Sequence, residues 1–485
     1  MTQSSSLIED SRRTLEELYD DQSDRSSSRT IELLSQFRVF TREKTLPPDI
    51  LNDKCLKLLI SHSSEGQTEA QKCLSNLILN YAHVREHLVE PYVDCAERRL
   101  KKVLDEASAR TGDSIKNDDK PDHQQQQREV LYYDLRIIFL LSALCPGSRG
   151  SIRDRLLSSL LKVTLAEAEQ FRKENYLLVI ESLKTLFNLT MDKCFDTDFA
   201  ANVIIKLFSY VGTSIETDAA EDNGSKCEHT DQLLVNLIHL LTNMPEEVYR
   251  KLSDEDVDKV LRHLDDQLKT FTKNSFRDTV LPVLNTCANI CRYKEDVRQR
   301  WFQEIIGSTK DFEKRPEEYD TLRGRLVKLM TSVDIHIKDI AAEFLHALCG
   351  GDTEKFITYT GFGNSAAFLS TKGLLSQNPM RSISTAEDDN KVEEQSNVDK
   401  EYQELRGKLD PITGRLEQPK RDPMEGMTEE EKEWHAHELA GAIAKLSNLG
   451  VIKPMQVGPD GQFSELKPKE SNNGDYTRKE DEDSD

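Results

Sequence analysis

The sequence predicts an all-α protein built from stacked helical repeats, and three observations support this prediction. Charged residues make up 31% and aromatic residues only 7% of the 485 residues, a composition typical of helix-rich proteins. Apolar residues recur at helical spacing as far as Leu375. A short apolar pattern with Asn or Ala at its fourth position also recurs along this part of the chain.

The repeated pattern sets the length of one repeat. Its six copies read CLSNL, LLSAL, TLFNL, LLVNL, TCANI and FLHAL, with fourth positions at Asn76, Ala143, Asn188, Asn236, Asn289 and Ala347. Successive fourth positions lie at intervals in the 40s and 50s, except for a longer first interval that contains an insertion. A period in the 40s is typical of armadillo and HEAT repeats. We therefore predict an armadillo/HEAT-like α-solenoid superhelix over residues 1–375.

Segments with little apolar content interrupt and follow the repeats. Residues 105–128 and 213–227 are polar, and we predict disordered loops there. From Ser376 onward there are 15 basic and 26 acidic residues, so this region carries a net charge of −11. That is half of the net charge of −22 of the whole chain. We predict an acidic disordered linker at 376–408 and a disordered acidic tail at 457–485.

A separate C-terminal helix is predicted at 428–448, within a segment spanning 409–456. Thr428 followed by Glu431 forms a capping box, and Gly450 ends the helix. Its apolar residues, predicted to form one face, are Trp434, Leu439, Ala440, Ile443 and Leu446. This face either packs on the last repeat or binds a partner, with Trp434 as an anchor.

Composition argues against several classes of function. A net charge of −22 disfavours nucleic-acid binding. The most apolar stretch, Leu135–Cys145, is about half the length that spans a bilayer, so no membrane insertion is expected. The polar, acidic N-terminus is unlike a signal or transit peptide. Nine cysteines without paired spacing indicate a reducing compartment, and we expect the cytoplasm.

No catalytic or metal-binding constellation is apparent, so we expect neither an enzyme nor a cofactor. Cys287 and Cys291, with Cys227 and His229 elsewhere, lack the ligand pairing of a zinc site. Gly361-Phe362-Gly363 follows a helix rather than a strand and lacks the third Gly of a dinucleotide-binding loop.

The recurring Asn has two interpretations. In armadillo-type repeats the corresponding helix lines a groove, where an Asn side chain can hydrogen-bond the backbone of a bound peptide. Alternatively, the Asn caps or bridges neighbouring helices. Four asparagines at matching positions favour a polar ladder that binds a partner.

The acidic linker contains candidate phosphorylation sites. Each has an acidic residue three positions later, as an acid-directed Ser/Thr kinase requires, although such short matches are frequent by chance. They are Ser384, Thr385 and Ser396.

Four segments resemble the synembryn family. The strongest matches are Leu326–Leu375, which contains YTGFGNSAAF, and Asp410–Met455, which contains PMEGMTEEEKE. KCLSNLILN at Lys72–Asn80 and ESLKTLFNLT at Glu181–Thr190 resemble early repeats of the family. One departure is that the acidic linker carries fewer Ser and Thr residues than the family pattern has.

The resemblance implies a non-receptor guanine nucleotide exchange factor and folding chaperone for G protein α subunits (Gα). Such a protein binds GDP-loaded Gα, promotes GDP release and stabilises the nucleotide-free form. It would be recruited to the cell cortex or plasma membrane through Gα, and its C-terminal helix would reach the GTPase domain. The alternative is an armadillo-type adaptor or transport protein that binds peptide segments. The concave groove implied by the resemblance includes Asn76, Asn80, Arg136, Asn188, Asn236, Asn289, Lys328 and Lys338.

Overall fold

The described part of the chain folds almost entirely into α-helices. A computed structural model describes residues 2–20, 27–44, 46–110, 121–172, 174–192, 195–211, 228–270, 276–306, 314–374, 409–410, 412–413, 415–416, 424, 426–452, 455–457 and 463–465. The chain divides into two compact units, Met1–Arg298 and Gln299–Asp485, and each unit is described by itself.

The first unit is a series of helices that pack against one another. Its helices are α1 (Thr2–Asp20), α2 (Ser28–Arg42), α3 (Asp53–Ser64), α4 (Thr68–Asn80), α5 (Arg85–Arg110), α6 (Pro121–Leu144), α7 (Arg149–Glu169), α8 (Tyr176–Leu189), α9 (Thr197–Phe208), α10 (Glu228–Leu241), α11 (Glu246–Lys251), α12 (Asp254–Lys269) and α13 (Phe276–Tyr293). Short 3₁₀ turns at Ala82–Val84 and Pro146–Ser148 precede α5 and α7, and α14 (Glu295–Ile306) contains the boundary between the units.

Side-chain caps fix where several of these helices begin. Asn52 Oδ1 accepts hydrogen bonds from the backbone N–H groups of Lys54 (3.0 Å) and Cys55 (3.1 Å) at the start of α3. Asp196 and Ser253 cap α9 and α12 in the same way. Such a cap satisfies donors that have no partner within the helix, and replacing it by Ala typically costs about 1 kcal/mol.

Alternating helices of the first unit form two layers. In one, which we call the motif layer, α2, α4, α6, α8, α10 and α13 each pack against the next. In the other, α3, α5, α7, α9 and α11 do the same, and pairs such as α3 with α4 and α7 with α8 join the layers. The first five copies of the repeated pattern all lie in the motif layer. This arrangement confirms the predicted α-solenoid.

The core lies between the two layers. The leucines of the repeated pattern, such as Leu77, Leu141, Leu186 and Leu237, are fully buried there. Burying one such side chain contributes about 1.5–3 kcal/mol to folding, and each helix needs its neighbours for that burial. The repeated pattern is therefore conspicuous in the sequence because it forms the core.

One buried polar network joins α3, α4, α5 and α6. The Asp134 carboxylate accepts hydrogen bonds from Tyr92 Oη (2.6 Å), Gln71 Nε2 (2.7 Å) and Arg99 Nη1 (2.5 Å). Arg99 also donates to the carbonyl oxygen of Ser63. Asp134 is almost completely buried, and a buried charge is tolerated only when it is paired and hydrogen-bonded in this way.

Within its described residues, the second unit contains four further helices and a C-terminal segment. A 3₁₀ turn at Pro316–Glu318 precedes the helices α15 (Leu322–Leu329), α16 (Ile335–Leu348), α17 (Thr353–Thr360) and α18 (Phe362–Thr371). Two antiparallel hairpins follow, β1 (Leu409–Asp410) with β2 (Arg415–Leu416) and β3 (Met455–Val457) with β4 (Phe463–Glu465). Between the hairpins lies the C-terminal helix α19 (Glu429–Asn448).

Several predicted boundaries change. The ends of the predicted loop at 105–128 are helical, because α5 continues to Arg110 and α6 begins at Pro121. The predicted tail at 457–485 contains β4, which pairs with β3. Helix α19 and its capping residue Thr428 match the predicted helix at 428–448. The loop at 213–227 and the linker at 376–408 lie outside the described residues.

The described helices show no single segment long and apolar enough to cross a membrane. The helices Gln124–Leu144 and Pro146–Glu169 meet at an angle of 108° and are together long and apolar enough for a bent span. Both helices are packed within the two layers. Every cysteine within the described ranges is a free thiol and buried. Burial raises the pKa of the Cys55 thiol to about 12.

Candidate protein-binding surface

Each helix of the motif layer leaves one stripe of side chains uncovered by the other layer. We call this the motif face. On α6 the stripe contains Tyr132, Arg136 and Phe139, which are half-buried and spaced i, i+4 and i+7. On α8 it contains Leu177, which is 62% exposed, and Phe187. These aromatic and aliphatic residues were not among the predicted site residues, although their helical spacing beside the core stripe indicates an exposed face.

Aromatic rings and cations are interleaved on this face. Tyr132 and Tyr133 pack edge to face with ring centroids 5.1 Å apart, and the Lys72 ammonium lies 5.2 Å from the Tyr133 ring. The Arg136 guanidinium lies 5.6 Å from the Phe139 ring. Burial, followed by the nearby Glu181 charge, raises the pKa of the Tyr132 phenol, which stays neutral. Amphipathic aromatic and arginine side chains of this kind are enriched at protein interfaces.

A buried carboxylate holds two cations at this face. Arg136 Nη1 lies 3.1 Å from one oxygen of Glu181, and Lys184 Nζ lies 3.2 Å from the other. The Glu181 side chain is buried, whereas both cations are partly exposed. Two positive charges around one negative charge leave this point of the face positive, although the chain as a whole is strongly acidic.

Three of the predicted asparagines bridge helices, Asn76 and Asn188 within the motif layer and Asn289 between the two layers. Asn76 Nδ2 donates to Thr41 Oγ1 (3.1 Å), and Asn289 Nδ2 donates to Tyr249 Oη (3.2 Å). Asn188 Nδ2 donates to the Phe139 carbonyl oxygen (3.2 Å) and to Ser142 Oγ (3.1 Å). At 7% exposure, Asn188 cannot serve as a direct partner contact, which corrects the expectation for that residue.

The remaining predicted amides also contact backbone groups. Asn80 Nδ2 donates to the carbonyl oxygens of Thr41 (3.1 Å) and Arg42 (3.4 Å) at the C-terminal end of α2. Asn236 Nδ2 donates to the carbonyl of Gln232 (2.7 Å) in its own helix. The bridging interpretation of the repeated Asn therefore describes Asn76, Asn188 and Asn289. The half-exposed asparagines remain candidates for partner contact through their uncovered atoms.

The two predicted lysines lie in the second unit. Lys328 is exposed at the end of α15, and Lys338 is half-buried in the first turn of α16. The predicted phosphorylation sites Ser384, Thr385 and Ser396 lie outside the described residues. Within the described ranges, no group of three His, Cys, Asp or Glu side chains is placed to hold a metal ion.

Helix α19 is stabilised locally and buries none of its residues. Thr428 Oγ1 accepts a hydrogen bond from the Glu431 N–H (3.3 Å), and Glu431 Oε2 accepts one from the Thr428 N–H (2.9 Å). The large apolar residues of the helix are all exposed, at 60% for Trp434, 63% for Leu439, 50% for Ile443 and 41% for Leu446. The helix therefore does not bury its apolar residues on the described helices α15–α18 of its own unit, which disfavours the packing interpretation.

The single apolar face predicted for α19 is wrong in one respect. At about 100° per residue, Leu439, Ile443 and Leu446 share a stripe, but Trp434 lies about 140° around the helix from Leu439. The exposed apolar stripe instead continues past the helix, since Leu449, Val451, Ile452 and Met455 are exposed as well. This continuation was readable in the sequence LGVIKPM and was missed.

Comparison with known proteins identifies the family. The family model described as guanine nucleotide exchange factor synembryn matches residues 33–462. The chain belongs to this family. A relative from Xenopus tropicalis, named Chaperone Ric-8A, is 32% identical over 438 residues, which are 83% of this chain and 75% of the relative. The Danio rerio protein of the same name is 27% identical over 494 residues, covering 90% of this chain and 84% of the relative.

Proposed function

We propose that this synembryn-family chain is a guanine nucleotide exchange factor and folding chaperone for Gα subunits and acts by binding alone. The observation that carries the proposal is that its two apolar surfaces, the motif face and the α19 stripe, are both uncovered. Large exposed apolar surfaces of this kind mark protein-binding sites. Membership of the synembryn family indicates that the bound protein is Gα.

The motif face suits a helical or extended peptide. Leu177, Phe139 and Phe187 offer apolar contact, and the partly exposed Arg136 and Lys184 attract a carboxylate. A C-terminal helix of Gα would lie across α4, α6, α8, α10 and α13, with Asn76, Asn236 and Asn289 contacting its backbone. Lys328 and Lys338 remain proposed partner residues in the second unit. The α19 stripe would bind a second surface on the GTPase domain.

Exchange without a catalytic residue is a linkage between two binding equilibria. If partner and nucleotide each weaken the binding of the other, the coupling is reciprocal. A nucleotide bound with nanomolar affinity is held by about 12 kcal/mol, which is more than one contact can oppose. Two extended surfaces can supply that free energy together. The same surfaces would cover apolar parts of a nucleotide-free or newly made Gα, which is the role of a chaperone.

We further propose a cytoplasmic location with recruitment to the cell cortex through Gα. An acid-directed kinase would add negative charge at Ser384, Thr385 or Ser396. Nucleic acid and membrane insertion have no part in this mechanism. The adaptor or transport alternative is not favoured, because it gives no reason for the family match through the C-terminal segment.

The test is GDP release from purified Gα, measured with the full chain and with a chain ending at Leu375. We expect the full chain to accelerate GDP release from Gα. The shortened chain should bind Gα more weakly and accelerate GDP release less. If neither chain binds Gα nor accelerates release, the proposed function is wrong.

A further inference from the structure

Gly361, between α17 and α18, and Gly363, in the first turn of α18, contact another part of the chain. Gly361 has φ +82°, and a Cβ built there would lie 3.1 Å from the carbonyl carbon and 3.2 Å from the carbonyl oxygen of Thr413. The Gly363 N–H donates a 3.1 Å hydrogen bond to the Ile412 carbonyl oxygen. Gly361 is therefore explained by its positive φ and by the close approach of this backbone segment.

This contact caps the N-terminal end of α18 with a carbonyl group from a distant part of the same chain. Gly361 precedes α18 and has no side chain that could accept from the first N–H groups of the helix. The Ile412 carbonyl takes that place, and its oxygen lies at the positive end of the helix dipole. Because Gly363 is the second residue of α18, its N–H has no acceptor within the helix.

Asp410 shapes the segment that makes this contact. Its Oδ1 accepts from the Ile412 N–H (2.9 Å), and its Oδ2 accepts from Thr413 Oγ1 (2.8 Å). Pairing of β1 with β2 closes the turn on its other side, with Asp410 opposite Arg415. An aspartate that bonds the backbone two residues later stabilises a turn by its own side chain. The Ile412 side chain takes no part, since it is 53% exposed.

We propose that the turn containing Ile412 and Thr413, docked on Gly361 and Gly363, is the anchor of the α19 segment, and that this contact positions α19 for Gα. The chain leaves the C-terminal end of α18 at Leu374, and the turn returns it to the N-terminal end of the same helix, about 15 Å away. Both ends of the acidic segment 375–408 are thus fixed, and its length does not set the reach of α19.

The anchor has a quantitative consequence, which rests on the proposed binding of α19 to Gα. With the turn docked, only the stretch 417–428 separates the hairpin from α19. With the turn released, the whole stretch 375–428 separates α18 from α19, a tether more than four times longer. The effective concentration of a tethered group falls roughly as the −3/2 power of tether length when the tether lacks regular structure, as composition predicts here. Release should therefore weaken Gα binding about tenfold.

The first experiment needs no Gα. Hydrogen exchange of the Gly363 amide is measured in the full chain and in Asp410→Ala, Asp410→Asn and Ile412→Ala variants. We expect protection in the unaltered chain, loss of protection in Asp410→Ala, and protection in Asp410→Asn, which keeps the Oδ1 acceptor. Ile412→Ala is the control, because it keeps the carbonyl that caps α18. An unprotected Gly363 amide in the unaltered chain would overturn the anchor, whatever the chain does to Gα.

The second experiment tests positioning with purified nucleotide-free Gα. Asp410→Ala should bind about tenfold more weakly, and Asp410→Asn and Ile412→Ala should bind normally. A Gly/Ser stretch inserted within residues 375–408 would roughly double the length of the released tether. It should leave the Gα affinity of the otherwise unaltered chain unchanged but weaken binding by Asp410→Ala about threefold further. Equal affinity in Asp410→Ala despite an unprotected Gly363 amide would overturn the positioning role. If no variant binds Gα while Gly363 stays protected, the proposed function fails and the anchor stands.

Discussion

The motif layer and α19 use the same kind of helix in opposite ways. In α4, α6 and α8 most apolar side chains are buried, and several polar side chains bind neighbouring helices. In α19 the apolar side chains are exposed, and the polar side chains of its capping box bind only the helix itself. The first region has its shape before any partner arrives. The second has a local structure whose apolar surface only a partner can bury.

The largest effect is expected in the buried network of the first unit. Asp134→Ala should lower the free energy of unfolding by about 3–5 kcal/mol, because it leaves the Arg99 guanidinium buried without its partner. Urea unfolding monitored by circular dichroism measures this loss. Asp134→Asn is the matched control, since it keeps an acceptor and should cost less. A loss below about 1 kcal/mol in Asp134→Ala would mean that water solvates Arg99.

Substitution on α19 should affect only function. Ile443→Asp places a charge in the middle of the exposed apolar stripe and should slow Gα exchange about 30-fold, equivalent to about 2 kcal/mol of binding. The free energy of unfolding should not change, because Ile443 contacts no core. Trp434→Ala should also slow exchange, by less, since Trp434 lies on a different face of the helix. A larger effect for Trp434 than for Ile443 would assign the partner to the opposite face.

Substitution of exposed side chains on the motif face should, as on α19, weaken Gα binding without changing stability. Leu177→Asp changes a side chain that is 62% exposed. It should weaken Gα binding about tenfold, measured by calorimetry, and leave unfolding unchanged. Asn188→Ala is the informative comparison, because removing a buried bridge between α6 and α8 should lower stability as well as binding. Normal Gα binding by Leu177→Asp would exclude this part of the face from the interface.

The smallest expected effect is a pH dependence confined to the first unit. Burial lowers the pKa of His239 and His263, although nearby Asp side chains partly oppose this for both. The unfolded chain then binds more protons than the folded chain as the pH falls through about 6.5, so the free energy of unfolding should decline in that range. Urea unfolding between pH 7.5 and 5.5 measures the decline. The double variant His239→Gln and His263→Gln should flatten it, and an unchanged slope would show that other groups dominate.

The sequence predicted the parts of this molecule that repeat. Copies of one apolar pattern placed α4, α6, α8, α10 and α13 in a single layer, because a residue at a fixed position in each repeat meets the same surroundings. Thr428 and Glu431 predicted the start of α19, since a capping box depends only on local spacing. These features need no knowledge of tertiary contacts.

Other features depended on contacts between distant residues. Whether Asn76 faces a partner or Thr41 is decided by the approach of α2, which the sequence does not reveal. Gly361 is explained by a turn that follows only after the acidic segment. Pairing of β3 with β4 joins short strands with little pattern of their own. The separation of Trp434 from the apolar stripe of α19, by contrast, follows from helical periodicity alone and was predictable from the sequence.

The neighbour-to-neighbour packing of the motif layer has a mechanical consequence. Since α6 contacts α4 and α8 in its layer, and these contact α2 and α10 in turn, a strain at one pair of helices is passed on by small rotations at the next. Such rotations add up along a stack without breaking any one contact. The layer can therefore bend as an elastic body and follow the changing outline of a client during its folding or its loss of nucleotide.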